Sequence, residues 1–566
     1  MRGITLGPAH ERNSTQEAGS GDAGLDRLIE ALRQPARYPH AATRVELLQT
    51  HISCVLLAGD YAYKIKKPVN LGFLDFSTLA ARRYYCYEEL RLNRRTAPGL
   101  YLEVVPISGS ASAPALGGGG RAIEYALKMR RFAQDALLDR MARRGALAPQ
   151  HIDALALGLA RFHEGIARAG PDVEFGSSGR IFAPALQNFE QLHELVGAKT
   201  DLAQLARLGD WSAREHAALA AVFDARKRDG WVRECHGDLH LGNIALLDGV
   251  PTPFDGIEFS EDLRWTDVMN DVAFLVMDLI DHRLPRLAFR FLNAYLERSG
   301  DYAGLRVLRF YLVYRALVRA KVAGMRARQP GLVARARRAI EREYRRHLYL
   351  AEQLAAPRHA ALLIMHGLSG SGKTTVAQGL AEALGAVRLR SDVERKRLHG
   401  LAPEARSGSA LDAGLYAPGA SERTYTRLAG LAREVLAARF PVIVDAAFLK
   451  RSWRERFADI ARGAGAAFAI VTCAASPATL RARLALRARA ARDASEAGLA
   501  VLERQFATAE PLAADETAHA LAIDAERGAG AAEAAALARR LGLEVYRAAS
   551  DGRIRGNIRG RIGSGT

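Results

Sequence analysis

The stretch GLSGSGKTT, residues 367–375, restricts the possible folds more than any other part of the sequence. It fits the pattern G-x-x-x-x-G-K-[ST], whose backbone N–H groups surround a phosphate while the lysine reaches the outer phosphates. The apolar run ALLIMH comes before it, and the helix-forming TVAQGLAEALG comes after it. The sequence therefore predicts a buried strand, a phosphate-binding loop and a helix in direct succession. The predicted nucleotide-binding residues of this loop are Gly367, Ser369, Gly370, Ser371, Gly372, Lys373, Thr374 and Thr375.

Apolar runs alternate with helical stretches after this loop. AVRLRSD, FPVIVDAAF and AFAIVTCAA have the composition of buried strands, and helix-forming sequence separates them. Such alternation predicts a parallel sheet covered by helices on both faces. Asp445 ends one of these runs, so its carboxylate is the predicted partner of the Thr374 hydroxyl in holding Mg²⁺.

Another pair of polar residues follows the second predicted strand of this region, AVRLR, which comes before the strand of Asp445. In LRSDVERKRLHG, Asp392 and Arg395 stand three positions apart, and the region has no guanine-reading NKxD motif. This segment resembles small P-loop kinases of the gluconate, shikimate, zeta-toxin and polynucleotide-kinase type. The resemblance implies that Asp392 accepts the proton of a substrate hydroxyl and that Arg395 holds the substrate. It also implies an arginine-bearing lid, for which Arg487 and Arg492 are the candidates within a segment that also contains Arg483 and Arg489.

The stretch CHGDLHLGNI, residues 235–244, predicts a second and different phosphate site. Asp238 precedes Asn243 by five positions, and Asp255 follows in PFDGIEF. A carboxylate near the acceptor hydroxyl together with metal-binding oxygens is the arrangement that phosphoryl transfer needs. Asp238 is therefore the predicted catalytic base, and Asn243 and Asp255 are the predicted metal ligands.

This region resembles an aminoglycoside phosphotransferase domain, a relative of protein kinases, over roughly residues 40–345. The resemblance implies a strand lysine that contacts the nucleotide phosphates and a helical glutamate that holds it. Alternation in YAYKIKK puts Lys64 and Lys66 on one face of a strand, with Lys64 favoured. The glutamate is either Glu88 or Glu89.

One departure from the family pattern, one further match and one acidic segment complete the description of this region. No GxGxxG loop precedes Lys64, so Thr50 and Ser53 in LLQTHISC are the candidate replacement donors. Asp267 and Asp271, in DVMNDVAFLVMDL, match a family segment and are expected to be structural. The acidic segment DGIEFSEDLRWTD could instead line a pocket for a cationic acceptor.

Local patterns divide the first region into a sheet-rich and a helical part. Gly59 and Asp60 predict a hairpin turn, Ser77 a helix N-cap, and YLEVVPI and AIEYALKM two further strands. The sequence is mostly helical from Asp135 onward, until Pro357 breaks the pattern. The predicted division is a disordered tail at 1–24, a phosphotransferase domain at 25–350, a linker at 351–360, a P-loop kinase domain at 361–548 and a basic disordered tail at 549–566. The predicted fold class is thus α/β and α+β: a bilobal protein-kinase-like domain followed by a P-loop NTPase domain with a parallel sheet.

Composition limits the remaining choices. The 566 residues are 49% hydrophobic, which suits packed domains, and their formal net charge is +18. This charge attracts anions without choosing among them. Only four cysteines occur, and no signal peptide or run of 18 apolar residues is present, so we expect a cytoplasmic protein without a membrane partner.

The whole arrangement resembles bacterial proteins described as bifunctional aminoglycoside phosphotransferase and ATP-binding (AAA-type) proteins. This resemblance implies a kinase that uses ATP and Mg²⁺ in both regions and phosphorylates hydroxyl groups of small molecules. Two alternatives remain open at this point: a nucleotide-sensing protein with one or both regions inactive, and a nucleic-acid 5′-hydroxyl kinase. The acceptors, the oligomeric state and any coupling between the two sites do not follow from the sequence, and no obligate protein partner is inferred.

Overall fold

The computed structural model describes residues 18–72, 74–329, 331–402, 405, 419–490, 498–524 and 530–546, without the side chains of 18–22 and 487–490. Within these residues, the strands are β1 (Val45–Gln49), β2 (Ser53–Ala58), β3 (Tyr61–Lys66), β4 (Tyr101–Gly109), β5 (Pro114–Leu116), β6 (Glu124–Arg130), β7 (Val232–Glu234), β8 (Ile244–Leu247), β9 (Val250–Pro253), β10 (Trp265–Asp267), β11 (Ala361–His366), β12 (Val387–Arg390), β13 (Val442–Asp445), β14 (Ala467–Ala474) and β15 (Ala520–Asp524).

The helices of the same described residues are α1 (Ala18–Leu32), α2 (Leu79–Asn93), α3 (Leu138–Arg143), α4 (Pro149–Gly165), α5 (Ser178–Leu195), α6 (Lys199–Arg228), α7 (Glu261–Arg264), α8 (Val268–Asp281), α9 (Pro285–Ser299), α10 (Leu305–Ala327), α11 (Ala334–Ala355), α12 (Lys373–Leu384), α13 (Ser391–Leu398), α14 (Ala420–Ala437), α15 (Arg451–Gly463), α16 (Pro477–Ala490), α17 (Leu499–Thr508), α18 (Ala514–Thr517) and α19 (Ala531–Leu541).

The chain packs into two compact units. The first comprises the described residues of 18–137, 236–238 and 243–264, and the second comprises those of 138–235, 239–242 and 265–546. Helix α11 ends at Ala355 and β11 begins at Ala361, so the helix-breaking Pro357 lies between them, as the sequence predicts. The predicted linker nevertheless falls inside the second unit, which joins the helical part of the first region to the P-loop region.

An antiparallel sheet forms the frame of the first unit. Its six strands have the order β1-β2-β3-β6-β4-β5, and the β2–β3 hairpin turns at Gly59, whose φ is +57°. Helix α2 begins one residue later than predicted, because Thr78 rather than Ser77 is its N-cap and accepts a hydrogen bond from the backbone N–H of Ala81.

Helix α1 covers one face of this sheet. Leu25, Leu28 and Leu32 recur at helical spacing and pack into one buried cluster with Leu56 and Ile65 of the sheet. The helix starts at Ala18, so residues 18–24, which the sequence predicts as part of a disordered tail, are helical. The apolar spacing that fixes the helix begins only at Leu25, which explains why the earlier turns carried no signal.

The helical part of the second unit is built around α8. Every residue from Val268 to Leu279 is buried, which is the pattern of a helix surrounded by other elements. Asp267 caps this helix and receives two hydrogen bonds from Arg226, while Asp271 accepts from His163. Both carboxylates are therefore bound within the protein, in agreement with the structural role expected of them.

A parallel sheet forms the other part of the second unit. Its strand order is β12-β13-β11-β14-β15, and all four neighbouring pairs are parallel. The central strand β11 leads directly into residues 367–372 and then into α12, which is the strand, loop and helix order that the sequence predicts. In the described part of the chain, no helix has the length and apolarity needed to span a membrane.

Candidate active sites

The candidate lysine of the first unit lies between two carboxylates. Lys64 is on β3, and its Nζ donates to Glu89 Oε1 at 2.7 Å and to Asp255 Oδ1 at 2.6 Å. Glu89 belongs to α2, whereas Asp255 follows β9. Three elements thus bring the predicted phosphate-binding lysine, its glutamate and the predicted metal carboxylate to one point.

Lys66 shares the same glutamate from the same face of β3. Its Nζ donates to Glu89 Oε2 at 2.6 Å and also to Glu258. Both lysines and both glutamates are largely or fully removed from solvent. Burial by itself would raise the pKa of Glu89, but Lys64 and Lys66 lower it to about 2. Burial likewise disfavours the charged form of Lys64, yet Asp255 and Glu89 raise its pKa well above its ordinary value.

Glu88 does not join this cluster. It lies at the neighbouring helical position, and its carboxylate accepts from Arg91 and from Arg264. Consecutive helical residues point about 100° apart, so only one of the two glutamates can face β3. The structure therefore places Glu89, and not Glu88, on Lys64.

The residues 236–243 form a loop held by its own side chains. His236 Nε2 lies 2.9 Å from the carbonyl oxygen of Phe254, and its Nδ1 lies 3.3 Å from the backbone N–H of Asp238. These two contacts fit the tautomer that carries its proton on Nε2. Asn243 Nδ2 donates to Asp238 Oδ2 at 2.9 Å and to its carbonyl oxygen at 3.0 Å. The predicted base and a predicted metal ligand are thus in direct contact.

Backbone geometry fixes the position of Asp255. Its φ is +60°, an uncommon conformation for a residue with a side chain, and its N–H donates to the hydroxyl of Tyr101 at 3.0 Å. The next N–H, that of Gly256, donates to Asn93 Oδ1. Such conformations persist where surrounding contacts hold them, and they are frequent at functional sites. Tyr101 and Asn93 are supporting residues that sequence patterns did not reveal, because neither belongs to a recognisable motif.

Two further expectations about this unit stay predictions, and the structure shows the surroundings of their residues. Thr50 Oγ1 is 2.8 Å from Ser53 Oγ and accepts from the Ser53 N–H, so these side chains satisfy each other in the β1–β2 turn. Glu258 is buried on Lys66, whereas Glu261 and Asp262 of the same acidic segment are exposed.

The phosphate-binding loop of the second unit depends on its glycines. Gly367, Gly370 and Gly372 all have positive φ, at +143°, +84° and +90°. A Cβ on Gly367 would lie 2.4 Å from the carbonyl oxygen of Cys473. The close approach of β14 to the loop is thus possible only with glycine.

Polar contacts hold the rest of this loop. Lys373 Nζ donates to the carbonyl oxygens of Gly367 and Leu368 at 2.8 and 2.7 Å. The N–H of Ser369 donates to Gln505 Oε1 of α17 at 2.7 Å, whereas the buried Ser371 hydroxyl has no hydrogen-bond partner among the described residues. No sequence pattern links Gln505 to the phosphate-binding loop, and the fold brings the two together.

A cavity of about 720 Å³ opens over this loop. Its walls contain the predicted residues Lys373, Thr374, Asp392, Arg395 and Asp445. Ser369, Gly370, Gly372 and Thr375 line it as well, so the fold gathers these predicted residues around one space. Burial raises the pKa of Asp445, against the opposing effects of Arg388, Arg390 and Lys373.

The arginines of the predicted lid are only partly described. Arg483 lines the cavity, and its guanidinium lies 3.5 Å from the carbonyl oxygen of Gly370. Arg487 belongs to α16, but its side chain falls outside the described part of the structure, and Arg492 lies outside the described residues altogether.

Further cavity residues had no sequence signal. Tyr425 and Trp453 stack with their ring centroids 4.4 Å apart, and both line the cavity, as do Lys450 and Arg504. Isolated aromatic and basic residues in helical sequence look like ordinary core or surface positions, so only the fold identifies them as cavity walls.

Comparison with known protein families supports the division into two kinds of site. The phosphotransferase enzyme family matches residues 107–311, and the AAA domain family matches residues 362–512. The predicted succession of a kinase-like phosphotransferase region and a P-loop kinase-like region is thereby confirmed. Together, the two kinase-like regions support a phosphotransferase.

Solved structures resemble one or the other region. An amicoumacin kinase is 14% identical, with 57% of this chain and 93% of that chain covered and a TM-score of 0.36. A choline/ethanolamine kinase family protein from Mesorhizobium loti is 16% identical, with 58% and 99% covered and a TM-score of 0.34. A gluconokinase from Sinorhizobium meliloti 1021 is 23% identical, with 33% and 95% covered and a TM-score of 0.24.

Curated relatives match nearly the whole chain. Uncharacterized proteins of Mycobacterium tuberculosis (strain ATCC 25618 / H37Rv) and of Mycobacterium bovis (strain ATCC BAA-935 / AF2122/97) are each 33% identical over 470 residues. This alignment covers 81% of the present chain and 90% of each relative. With its phosphotransferase region followed by an AAA-domain region, the chain belongs to the same protein family as these mycobacterial relatives.

Proposed function

We propose that the protein is an ATP-dependent kinase with two phosphoryl-transfer sites, each moving the γ-phosphoryl group to a hydroxyl of a small molecule. One observation carries the proposal: each region assembles its own lysine, candidate base and oxygen ligands for a metal ion. Lys64, Asp238, Asn243 and Asp255 lie in the first unit, and Lys373, Thr374, Asp392 and Asp445 line one cavity of the second. The two sites share none of their proposed lysines, bases or metal ligands.

In the first site, Asp238 is the proposed base. The Asn243 amide nitrogen donates to it, which fixes the carboxylate and leaves Asn243 Oδ1 as the amide's acceptor atom. Asn243 and Asp255 offer oxygen atoms, the ligand type that Mg²⁺ prefers, and so they fit the ion. Lys64, already held by Glu89, is the proposed contact for the nucleotide phosphates.

In the second site, Asp392 is the proposed base and Arg395 the proposed substrate contact. Thr374 offers a hydroxyl and Asp445 offers a carboxylate, and the two side chains are hydrogen-bonded to each other. Because both ligands are oxygen atoms, this pair also fits Mg²⁺. Lys373 and the proposed lid arginines Arg487 and Arg492 would contact the phosphates. Bound Mg²⁺ neutralises phosphate charge in sites of both kinds.

The test removes each base separately in the full chain. Purified Asp238→Asn, Asp392→Asn and the double variant are incubated with labelled ATP and a panel of hydroxyl metabolites, and phosphorylated products are identified by mass spectrometry. We expect each single variant to lose a different set of products and the double variant to lose both. Asp459→Asn, which alters an exposed carboxylate of α15, serves as the matched control.

Other outcomes would contradict the proposal. Nucleotide binding without any product in the wild-type protein would favour a sensor. Phosphorylation confined to oligonucleotide 5′ ends, with steep salt dependence, would favour a nucleic-acid kinase. Loss of all products in one single variant would indicate one working site.

A further inference from the structure

Helix α9 contacts the edge of the parallel sheet. It lies within the region that matches the phosphotransferase family, whereas β12 lies within the region that matches the AAA domain. Asn293 of α9 donates to the carbonyl oxygen of Ala386 at 2.9 Å and accepts from the N–H of Arg388 at 2.6 Å. The side-chain amide thus bonds to β12 as a neighbouring strand would, and α9 is held in register with it.

One turn further along α9, Glu297 receives two arginines of β12. Its Oε2 accepts from Arg388 at 3.0 Å and its Oε1 accepts from Arg390 at 2.6 Å. All three side chains are at most 15% exposed. A charge-assisted contact at this depth is weakly screened by solvent.

The same two arginines reach the proposed Mg²⁺ ligands of the P-loop site. Arg388 also donates to the carbonyl oxygen of Thr374 at 3.3 Å. Arg390 Nε lies 4.0 Å from Asp445 Oδ2, and these two residues are partners in the β12–β13 register. Arg390 therefore joins Glu297 to the proposed metal carboxylate, and Arg388 joins Glu297 to the backbone of Thr374.

We infer that Glu297 is a positioning residue for the P-loop metal site, supplied by the phosphotransferase region. The inference rests on the proposed function of that site. Glu297 holds the Arg390 guanidinium and balances the charge of both arginines. Without its charge, Arg390 is drawn to the buried carboxylate 4.0 Å away, and a cation on Asp445 then competes with Mg²⁺.

The experiment measures metal binding rather than turnover. Mn²⁺ binding in the presence of ADP is followed by electron paramagnetic resonance in the full chain, in an Asp255→Asn background that removes the metal carboxylate of the first site. Thr374→Ala in the same background identifies the signal of the P-loop site. We expect Glu297→Gln to weaken this binding by about fivefold or more.

Two further variants separate positioning from simple destabilisation. Glu164→Gln removes the carboxylate paired with Arg298, the residue after Glu297, and we expect it to leave Mn²⁺ binding unchanged. Adding Arg390→Leu to Glu297→Gln removes the competing cation, and we expect most of the lost affinity to return. Circular dichroism checks that each variant is folded.

The contradicting results are distinct. If Glu297→Gln binds Mn²⁺ as Glu164→Gln does, or if Arg390→Leu restores nothing, Glu297 has no positioning role. If no Mn²⁺ binds with ADP in the Asp255→Asn background while Glu297 is intact, the proposed function of the P-loop site itself is wrong.

Discussion

At the scale of single residues, the first site is organised by one carboxylate shared between two lysines. Glu89 contacts Lys64 and Lys66 through separate oxygens, so each lysine has a second carboxylate for itself, Asp255 or Glu258. Under the proposed function, Lys64 would exchange Asp255 for phosphate oxygens while Glu89 stays held by Lys66.

Replacing Glu89 tests this arrangement. Glu89→Gln leaves two buried ammonium groups with one fewer charge partner, and we expect a cost on the order of 3 kcal/mol in local stability. Hydrogen exchange of the β3 and α2 amides measures that cost. Glu88→Gln changes the neighbouring residue, whose carboxylate lies on Arg91 and Arg264, and we expect a smaller effect. Equal effects of the two variants would contradict the shared role of Glu89.

Sequence could place the residue types of this site but not the choice between neighbours. Strand alternation correctly put Lys64 and Lys66 on one face, because a strand has a period of two. Helix α2 has Arg, Tyr and Glu on all sides, so no apolar stripe showed which glutamate faces inward. The partners Asn93 and Tyr101 depend on contacts across the unit and left no local pattern.

At the scale of elements, the junction of β11, the loop and α12 was predictable because its geometry admits few sequences. The glycines at positive φ, the apolar strand and the helix start are each visible locally. No sequence pattern indicated that Gln505 of α17 would accept a hydrogen bond from this loop. The residues next to a loop in the sequence indicate its conformation, whereas the contacts it makes with distant residues depend on the whole fold.

Two glycines of this junction give a matched test. Gly367→Ala would place a Cβ 2.4 Å from the Cys473 carbonyl oxygen at φ +143°, so we expect it to abolish the thermal shift that ATP induces in the P-loop site. Gly379→Ala lies in α12 with open space around it, and we expect about 0.5–1 kcal/mol of stabilisation. Differential scanning calorimetry with and without nucleotide measures both. Retention of the full shift in Gly367→Ala would contradict the close-approach argument.

His366, the last residue of β11, is expected to make the stability of the protein depend on pH. Burial, Arg454 and Lys373 lower the pKa of His366 from 6.5 to about 4. Between these pH values the unfolded chain binds a proton that the folded protein does not, so this residue reduces stability as the pH falls from 6.5 towards 4. We expect His366→Gln to lose less stability over that range than the wild-type protein, as measured by unfolding temperature. Identical pH slopes would show that His366 is protonated alike in both states.

At the scale of the whole molecule, the boundaries of the two family regions differ from the boundaries of the two compact units. Sequence patterns divide the chain near Pro357, and the family matches fall on either side of it. Packing instead joins the helical part of the phosphotransferase region to the parallel sheet. The periodicity of apolar residues indicates which residues are buried, but it does not indicate which element covers them. The contact of α9 with β12 therefore could not be predicted from the sequence.

Replacing Asn293 tests the contact between α9 and β12. Asn293→Ala leaves the Ala386 carbonyl and the Arg388 N–H without the amide that bonds to both, and we expect a loss of about 1–3 kcal/mol. Asn188→Ala is the control, because Asn188 is equally buried but its amide nitrogen has no hydrogen-bond partner among the described residues. Chemical denaturation measures both variants. A loss no larger than that of Asn188→Ala would show that the strand edge needs no cap from α9.

The amide of Asn293 also bears on how this polypeptide can be divided. β12 is one of the two edge strands of its described sheet, and a bare edge strand readily pairs with another copy. A P-loop fragment released at Pro357 would lose α9 and expose that edge. We therefore expect such a fragment to self-associate, and a gene split at the apparent linker to yield two products that need each other to remain monodisperse.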